Sequence, residues 1–222
     1  MAEPSGRAVC AARRQLVLTV EADADRVEQR LRSGGLVCPF CRGVLVGWGF
    51  ARSRRLRGVD GPVVVRPRRA ACAGCGRTQV LLPLIGLSRR ADVAEVVGAG
   101  LVAKAAGVGH RRIATLLSRP ASTVRGWLRR FAGRAESIRA AFTALAVDVD
   151  ASTSPATAAL TTFGDAVAAV LAATVAVVRR WPALRFIVSP WQLAAAVSDG
   201  GLIGPAGLVE LTNTSRLWAG LW

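Results

Sequence analysis

The spacing of apolar residues changes period twice along the chain, and those changes divide it. Over 44–50, 63–69 and 78–82, short β-branched and aromatic runs separated by turn residues predict strands, with a hairpin tip at 52–61. From 88 to 107 the spacing becomes helical: Val93, Val96, Val97 and Leu101 share a face, and Gly107 suits the terminus. Two shorter helical patterns follow. Ile113, Ala114, Leu116 and Leu117 form the apolar face of the first, and Val124, Trp127, Leu128 and Phe131 that of the second. Because Pro120 fits only where a helix begins, the break is placed at Ser118–Arg119. Helix, tight turn, helix is the helix-turn-helix layout. On the second helix Ser122, Arg125, Arg129 and Arg130 fall opposite the apolar stripe, with Thr123 beside them.

The flanks are simpler. Residues 1–14 read as a polar tail, 15–20 as a strand, and 25–32 as a helix in which Asp25 and Glu28 have capping-box spacing. After Arg139 the chain turns to Ala, Thr and Val. A helix over 157–180 is predicted to end at Trp181-Pro182, and a second is opened by Ser189-Pro190-Trp191-Gln192 and closed by Asp199-Gly200-Gly201. The expected fold is therefore α+β and mostly α. Its parts are a tail with a short strand and helix (1–35), a small β unit (36–87), a three-helix domain (88–139) and an Ala-rich helical region (140–222). Leu217, Trp218, Leu221 and Trp222 near the end suggest docking, so the C-terminal helices are the expected route to a homodimer or protein partner.

Cysteine spacing adds chemistry to the β unit. Cys38-Pro39-Phe40-Cys41 and Cys72-Ala73-Gly74-Cys75 are two C-x-x-C pairs on strand-flanked turns, each able to bring two thiolates to one ion. Paired turns of this kind on short strands make a zinc ribbon, and four sulfurs complete a structural Zn2+ site with no open position. The competing readings are disulfides, disfavoured in a reducing compartment, and a redox dithiol, which would leave the second pair unexplained. Cys10 has no nearby partner and is expected to be a free thiol. The acidic run Glu21-Ala22-Asp23-Ala24-Asp25 lacks the later glycine and glutamate of a calcium loop.

Charge changes the picture most. The formal net charge is +16, and removing the single Lys104 from 30 basic residues leaves 29 arginines. A GC-rich coding bias accounts for arginine over lysine, but not for its distribution. Residues 1–140 carry 26 basic and 9 acidic side chains, 26 − 9 = +17, and residues 141–222 carry 4 and 5, 4 − 5 = −1. The positive half contains the helical hairpin, as expected of a polyanion-binding module. Nucleic acid is the expected partner; a membrane surface and a small-molecule substrate are not. The apolar run 166–178 is thirteen residues long, short of the ~20 of a spanning helix, and is read as buried. With Arg7, Arg13 and Arg14 at the start and no long apolar run behind them, the expected location is cytoplasmic, in association with the nucleoid. His110, the single histidine, is expected in the first turn of its helix.

The run 113–131, IATLLSRPASTVRGWLRRF, is similar to the helix-turn-helix segments of bacterial transposases and recombinases. Ser118 stands where that pattern has a glycine of positive φ, and Gly126 lies inside the second helix. The order of zinc ribbon, arginine-rich linker and helix-turn-helix, from Leu36 to about Arg134, resembles the N-terminal DNA-binding portion of insertion-sequence transposases. It also resembles zinc-ribbon/helix-turn-helix proteins of GC-rich bacterial genomes. The resemblance implies binding of double-stranded DNA, in transposition or transcription regulation, with the ribbon on the backbone and the second helix in the major groove. Ser122, Arg125 and Arg129 would then face base edges, Thr123 would also lie at the DNA, and Arg111, Arg112, Arg119 and Arg130 would face the flanking phosphates. Two rival classes remain. A DDE-type transposase or fragment would use Asp148 and Asp150 on a catalytic strand, although an Ala-rich helical remainder does not supply the rest of such a sheet. A zinc-stabilised protein-interaction module would show no salt-dependent DNA binding.

Overall fold

A computed structural model describes residues 16–153, 159–186 and 188–204; residues 1–14 with Cys10, and the Trp218/Trp222 tail, lie outside the described residues. The fold is α+β, with small sheets followed by helices. Strands β1 (Leu16–Val20), β2 (Leu45–Phe50), β5 (Arg68–Cys72) and β6 (Thr78–Pro83) form one sheet in the order β1-β6-β5-β2. β3 (Arg54–Arg57) and β4 (Pro62–Val65) form a separate hairpin. The long excursion between the cysteine pairs is thus a two-storey hairpin, bent where the β2–β5 register shifts between Gly47 and Phe50.

The first 35 residues are not an appendage. β1 lies parallel to β6, with Val17 opposite Val80 and Leu18 opposite Leu81. α1 (Ala24–Arg32) buries Val27 and Leu31 in the same core as Leu36, Cys38, Leu45, Ala70, Cys72 and Leu81. Asp23, not Asp25, caps α1: its carboxylate accepts from the backbone N–H groups of Asp25 and Arg26. Glu28 is instead paired with Arg68 of β5, which fastens α1 to the sheet.

The first helix after the ribbon, α2 (Ala94–Ala105), starts later than its apolar spacing predicts. Residues 88–93 are held by the hairpin and by Gly86: Val93 donates to the Arg57 carbonyl, Arg57 donates to the Ala91 carbonyl, and Gly86 bridges Val93. Those backbone bonds replace a helical first turn. Gly107, at φ +85°, ends the helix through bonds from its own N–H to Lys104 and from Val108 to Ala103.

α3 (His110–Leu116) and α4 (Ala121–Ala132) follow, with His110 as the first residue of α3. Their turn is a Schellman closure, in which Ser118 donates to Thr115 and Arg119 donates to Ala114. Ser118 takes φ +51°, the left-handed position, at a cost of ~1 kcal/mol relative to glycine. The predicted stripe Val124, Trp127, Leu128 and Phe131 is buried. On α3 the apolar face is narrower than predicted, since Ile113 and Ala114 are buried but Leu116 is exposed.

The boundary at residue 139 falls inside α5 (Ala135–Val149), and the three-helix domain does not stand alone. α5, α6 (Thr162–Arg180) and α7 (Pro190–Val197) share one core with α2, α3, α4 and with Leu56 and Val65 of the hairpin. Phe163 of α6 packs against Phe131 of α4, with ring centroids 4.8 Å apart and the ring planes tilted by 56°. Trp191 of α7 lies on Gly98 of α2 so closely that any Cβ there would enter its ring. α7 begins with the predicted capping box, Ser189 and Gln192 exchanging bonds. α6 is apolar and long enough to cross a membrane, but half of that stretch is buried inside this core. A chain ending at Arg139 is therefore expected to lose cooperative unfolding of α2–α4, because the cut divides α5 and strips α6 and α7 from the core; a thermal melt followed by circular dichroism measures it.

Candidate metal centre and nucleic-acid interface

The two cysteine pairs meet. Cys38, Cys41, Cys72 and Cys75 place their sulfurs within 4.8 Å of one another, with Cys41 and Cys72 3.3 Å apart and Cys38 and Cys75 3.8 Å apart. Four sulfurs around one ion at ~2.3 Å lie ~3.8 Å from each other, so the cluster fits a tetrahedral metal site. The two turns are built alike. Cys38 donates to the Gly43 carbonyl and Arg42 to Cys38; Cys72 donates to the Arg77 carbonyl and Gly76 to Cys72. Arg42 at φ +63° and Gly76 at φ +68° occupy equivalent left-handed positions after the second cysteine of each pair. Gly43 leaves room for the sulfurs, because a Cβ there would stand 3.1 Å from the Cys72 Sγ.

The electrostatics of the cluster suit a cation. The Cys72 thiol is pulled down to about 6, first by the backbone N–H of Cys75, against the opposing effect of burial. Cys41 is pushed up to about 12; the Gly43 backbone bond lowers it, but the neighbouring thiols and desolvation together outweigh that bond. Sulfurs this close cannot all ionise against one another in water, and a bound dication removes that conflict. Cys38 and Cys72 are buried, whereas Cys41 and Cys75 are open to solvent.

The candidate DNA-contact residues separate into three groups. Ser122, Arg125 and Arg129 on α4, and Arg111 and Arg112 on α3, are exposed; Thr123 is half-buried. Arg130 folds back along its own helix, donating to the Gly126 carbonyl at 3.1 Å, and its end would meet a Cβ at Gly126 at 3.0 Å. Arg119 does not face outward with the others. Its side chain is 12% exposed, and it donates to Asp92 at 2.6 Å and to the carbonyls of Leu117 and Gly58.

Asp92 is the residue that the sequence pattern did not single out. It is 1% exposed and sits between two guanidiniums, Arg119 of the helix-turn-helix turn and Arg57 of the hairpin, each at 2.6 Å. Arg119 also reaches the Gly58 carbonyl at the hairpin tip. The turn between α3 and α4 is thereby tied to the β3–β4 hairpin. Nothing local signalled this: Asp92 is 27 residues from one partner and 35 from the other.

Between Leu36 and Arg134 the sequence holds 19 basic side chains and three acidic ones, Asp60, Asp92 and Glu95. Asp92 is enclosed, and Glu95 accepts a hydrogen bond from Ser189. Asp60 is thus the one exposed acid in this stretch. Asp148 lies on α5 and Asp150 is its C-cap, bonded to Ser152 and paired with Arg179 at 3.4 Å, so neither lies on a strand. Comparison with family models, curated proteins and solved structures finds no match to this chain.

Replacing Asp92 by Ala leaves Arg119 buried without its counter-charge. The expected outcome is ~3 kcal/mol of destabilisation measured by urea unfolding, larger than for Arg57→Ala, whose side chain keeps more contact with water.

Proposed function

We propose that the chain is a sequence-specific double-stranded DNA-binding protein of the zinc-ribbon/helix-turn-helix type, with Zn2+ as a structural ion and no catalytic activity of its own. The observation that carries this reading is the division of α4: Val124, Trp127, Leu128 and Phe131 are sealed in the core while Ser122, Arg125 and Arg129 remain exposed. A guanidinium presents a planar fork that matches the two acceptors on the major-groove edge of guanine. Arg111 and Arg112, at the start of α3, supply positive charge for phosphates. Arg119 is assigned a different role, since its ion pair with Asp92 holds the turn. The low acid content between Leu36 and Arg134 favours a polyanion beside α3 and α4. The resemblance to insertion-sequence transposases and to zinc-ribbon/helix-turn-helix proteins suggests a role in transposition or in transcription regulation, and bound-site mapping separates the two by enrichment at inverted repeats or at promoters.

Zinc is the metal that a closed four-thiolate set suits best, since it has no redox chemistry and takes tetrahedral sulfur coordination. Cys38, Cys41, Cys72 and Cys75 would hold it, and its contribution is to close the two turns onto one another. One equivalent of zinc by elemental analysis, lost in Cys72→Ala, is expected, and chelation should melt the ribbon; intact ribbon in metal-free protein would refute the assignment.

The two groups of arginines should fail differently. Arg125→Ala or Arg129→Ala is expected to cost ~1–3 kcal/mol on the preferred site and to flatten discrimination between sequences. Arg112→Ala should weaken all duplexes alike and lower the salt slope by ~1. Titrations of specific and scrambled duplexes at two salt concentrations measure both effects, and intact affinity and discrimination in the α4 variants would rule α4 out as the recognition helix.

A further inference from the structure

β2 displays an aromatic edge that the duplex-binding reading does not use. It is an end strand of its sheet, hydrogen-bonded to β5 alone among the described strands. Leu45 is fully buried, but the rest of the strand faces solvent, with Val46 44%, Trp48 62% and Phe50 50% exposed. A bare apolar edge strand is a liability in a soluble protein unless something covers it.

The edge is also constructed. Trp48 lies between Gly47 and Gly49 at the register shift. Gly49 takes φ +97°, and a Cβ on Gly47 would run into the Arg68 guanidinium. Arg68 passes beneath this bulge. It is paired with Glu28 of α1, donates to the Gly49 carbonyl at 2.6 Å and lies 4.7 Å from the Phe50 ring centroid. Arg66 lies 4.6 Å from the same ring. Phe50 is therefore engaged by two cations, while no ring or guanidinium covers the indole of Trp48 among the described residues.

We propose that Trp48 is a stacking platform for an unpaired nucleobase, and that the β2 edge binds single-stranded nucleic acid with Arg66 beside it for the phosphate backbone. The sheet with α1 and the hairpin, residues 16–83, carries twelve arginines and five acids, 12 − 5 = +7, and Arg42, Arg52, Arg55 and Arg66 among them are exposed, so the charge complements a polyanion. The same charge opposes a second copy of this chain, which would set +7 against +7. An indole requires an open π-face. B-form duplex offers only base edges and phosphates along its length, whereas an unpaired strand offers the faces of its bases. The site is separate from α4, so one chain could hold a duplex on its helix and an unpaired strand on its ribbon.

The test titrates the metal-loaded full chain with a fluorescently labelled oligothymidylate and, separately, with a duplex. Trp48→Ala is expected to weaken oligothymidylate binding ~10-fold or more, with duplex affinity, metal content and circular dichroism unchanged; Trp48→Phe should retain most of the binding. Arg125→Ala should show the reverse pattern, losing duplex and keeping the single strand. If the wild-type chain does not bind oligothymidylate, or Trp48→Ala binds it as the wild type does, the proposal is wrong. A wild-type chain that sediments as an oligomer, with Trp48→Ala monomeric and oligothymidylate binding unchanged, would also overturn it in favour of a protein contact. Failure of the duplex titration alone would count against the α4 reading and leave this one standing.

Discussion

A single buried carboxylate sets the relation between the two halves of this protein. Asp92 lies at the end of the segment that the hairpin's backbone bonds keep out of α2, and both of its oxygens are taken by guanidiniums from elements far away in sequence. Placing one negative charge inside is costly unless it is paired and hydrogen-bonded, and here the pairing joins Arg57 of the hairpin to Arg119 of the turn. Leu56 and Val65 of the hairpin enter the helical core beside it, so apolar packing and the ion pair act at one junction. The cysteine cluster lies at the base of the β2–β5 ladder, and Asp92 holds the separate β3–β4 hairpin against the helices.

Arginine serves inside this molecule as much as outside it. Arg134 donates to the carbonyls of Gly201 and Leu202, Arg90 to that of Ile203, and Arg54 to that of Arg90. Burial lowers the ordinary affinity of Arg90 and Arg134 for their protons, and backbone carbonyls supply the compensating bonds. A guanidinium suits this use, because it stays charged when partly buried and is more weakly hydrated than an ammonium. Net charge counted along the sequence therefore mixes two populations, the arginines that tie segments together and those that face solvent.

What was legible in the sequence was local. Four cysteines in two turns, a proline opening α4 and a capping box at Ser189 each declare themselves within a few residues. The stripe on α4 was legible for the same reason: burial follows period. What was not legible involved partners distant in sequence. Residues 88–93 carry helical spacing and are bound instead to the hairpin. β1 pairs with β6 some sixty residues on, and an apolar strand does not say which edge it will join. The apolar faces of α6 and α7 announce burial without naming the surface that buries them, so a separate C-terminal region and a docked one look the same until Trp191 is seen on Gly98. Arg119 looked like its exposed neighbours because nothing adjacent hints at Asp92.

The seat of Trp191 on Gly98 also has a temporal side. α4 ends at Ala132, and the last part of its core among the described residues, Leu202 and Ile203, comes 203 − 132 = 71 residues later. At ~5–20 residues per second of synthesis, roughly 4–14 s separate the making of the helix from the arrival of the surface it packs on. During that interval the nascent chain carries its basic helices without a closed core beneath them. Exposed apolar faces and free arginines coexist on the ribosome, itself a polyanion, until α7 closes over Gly98.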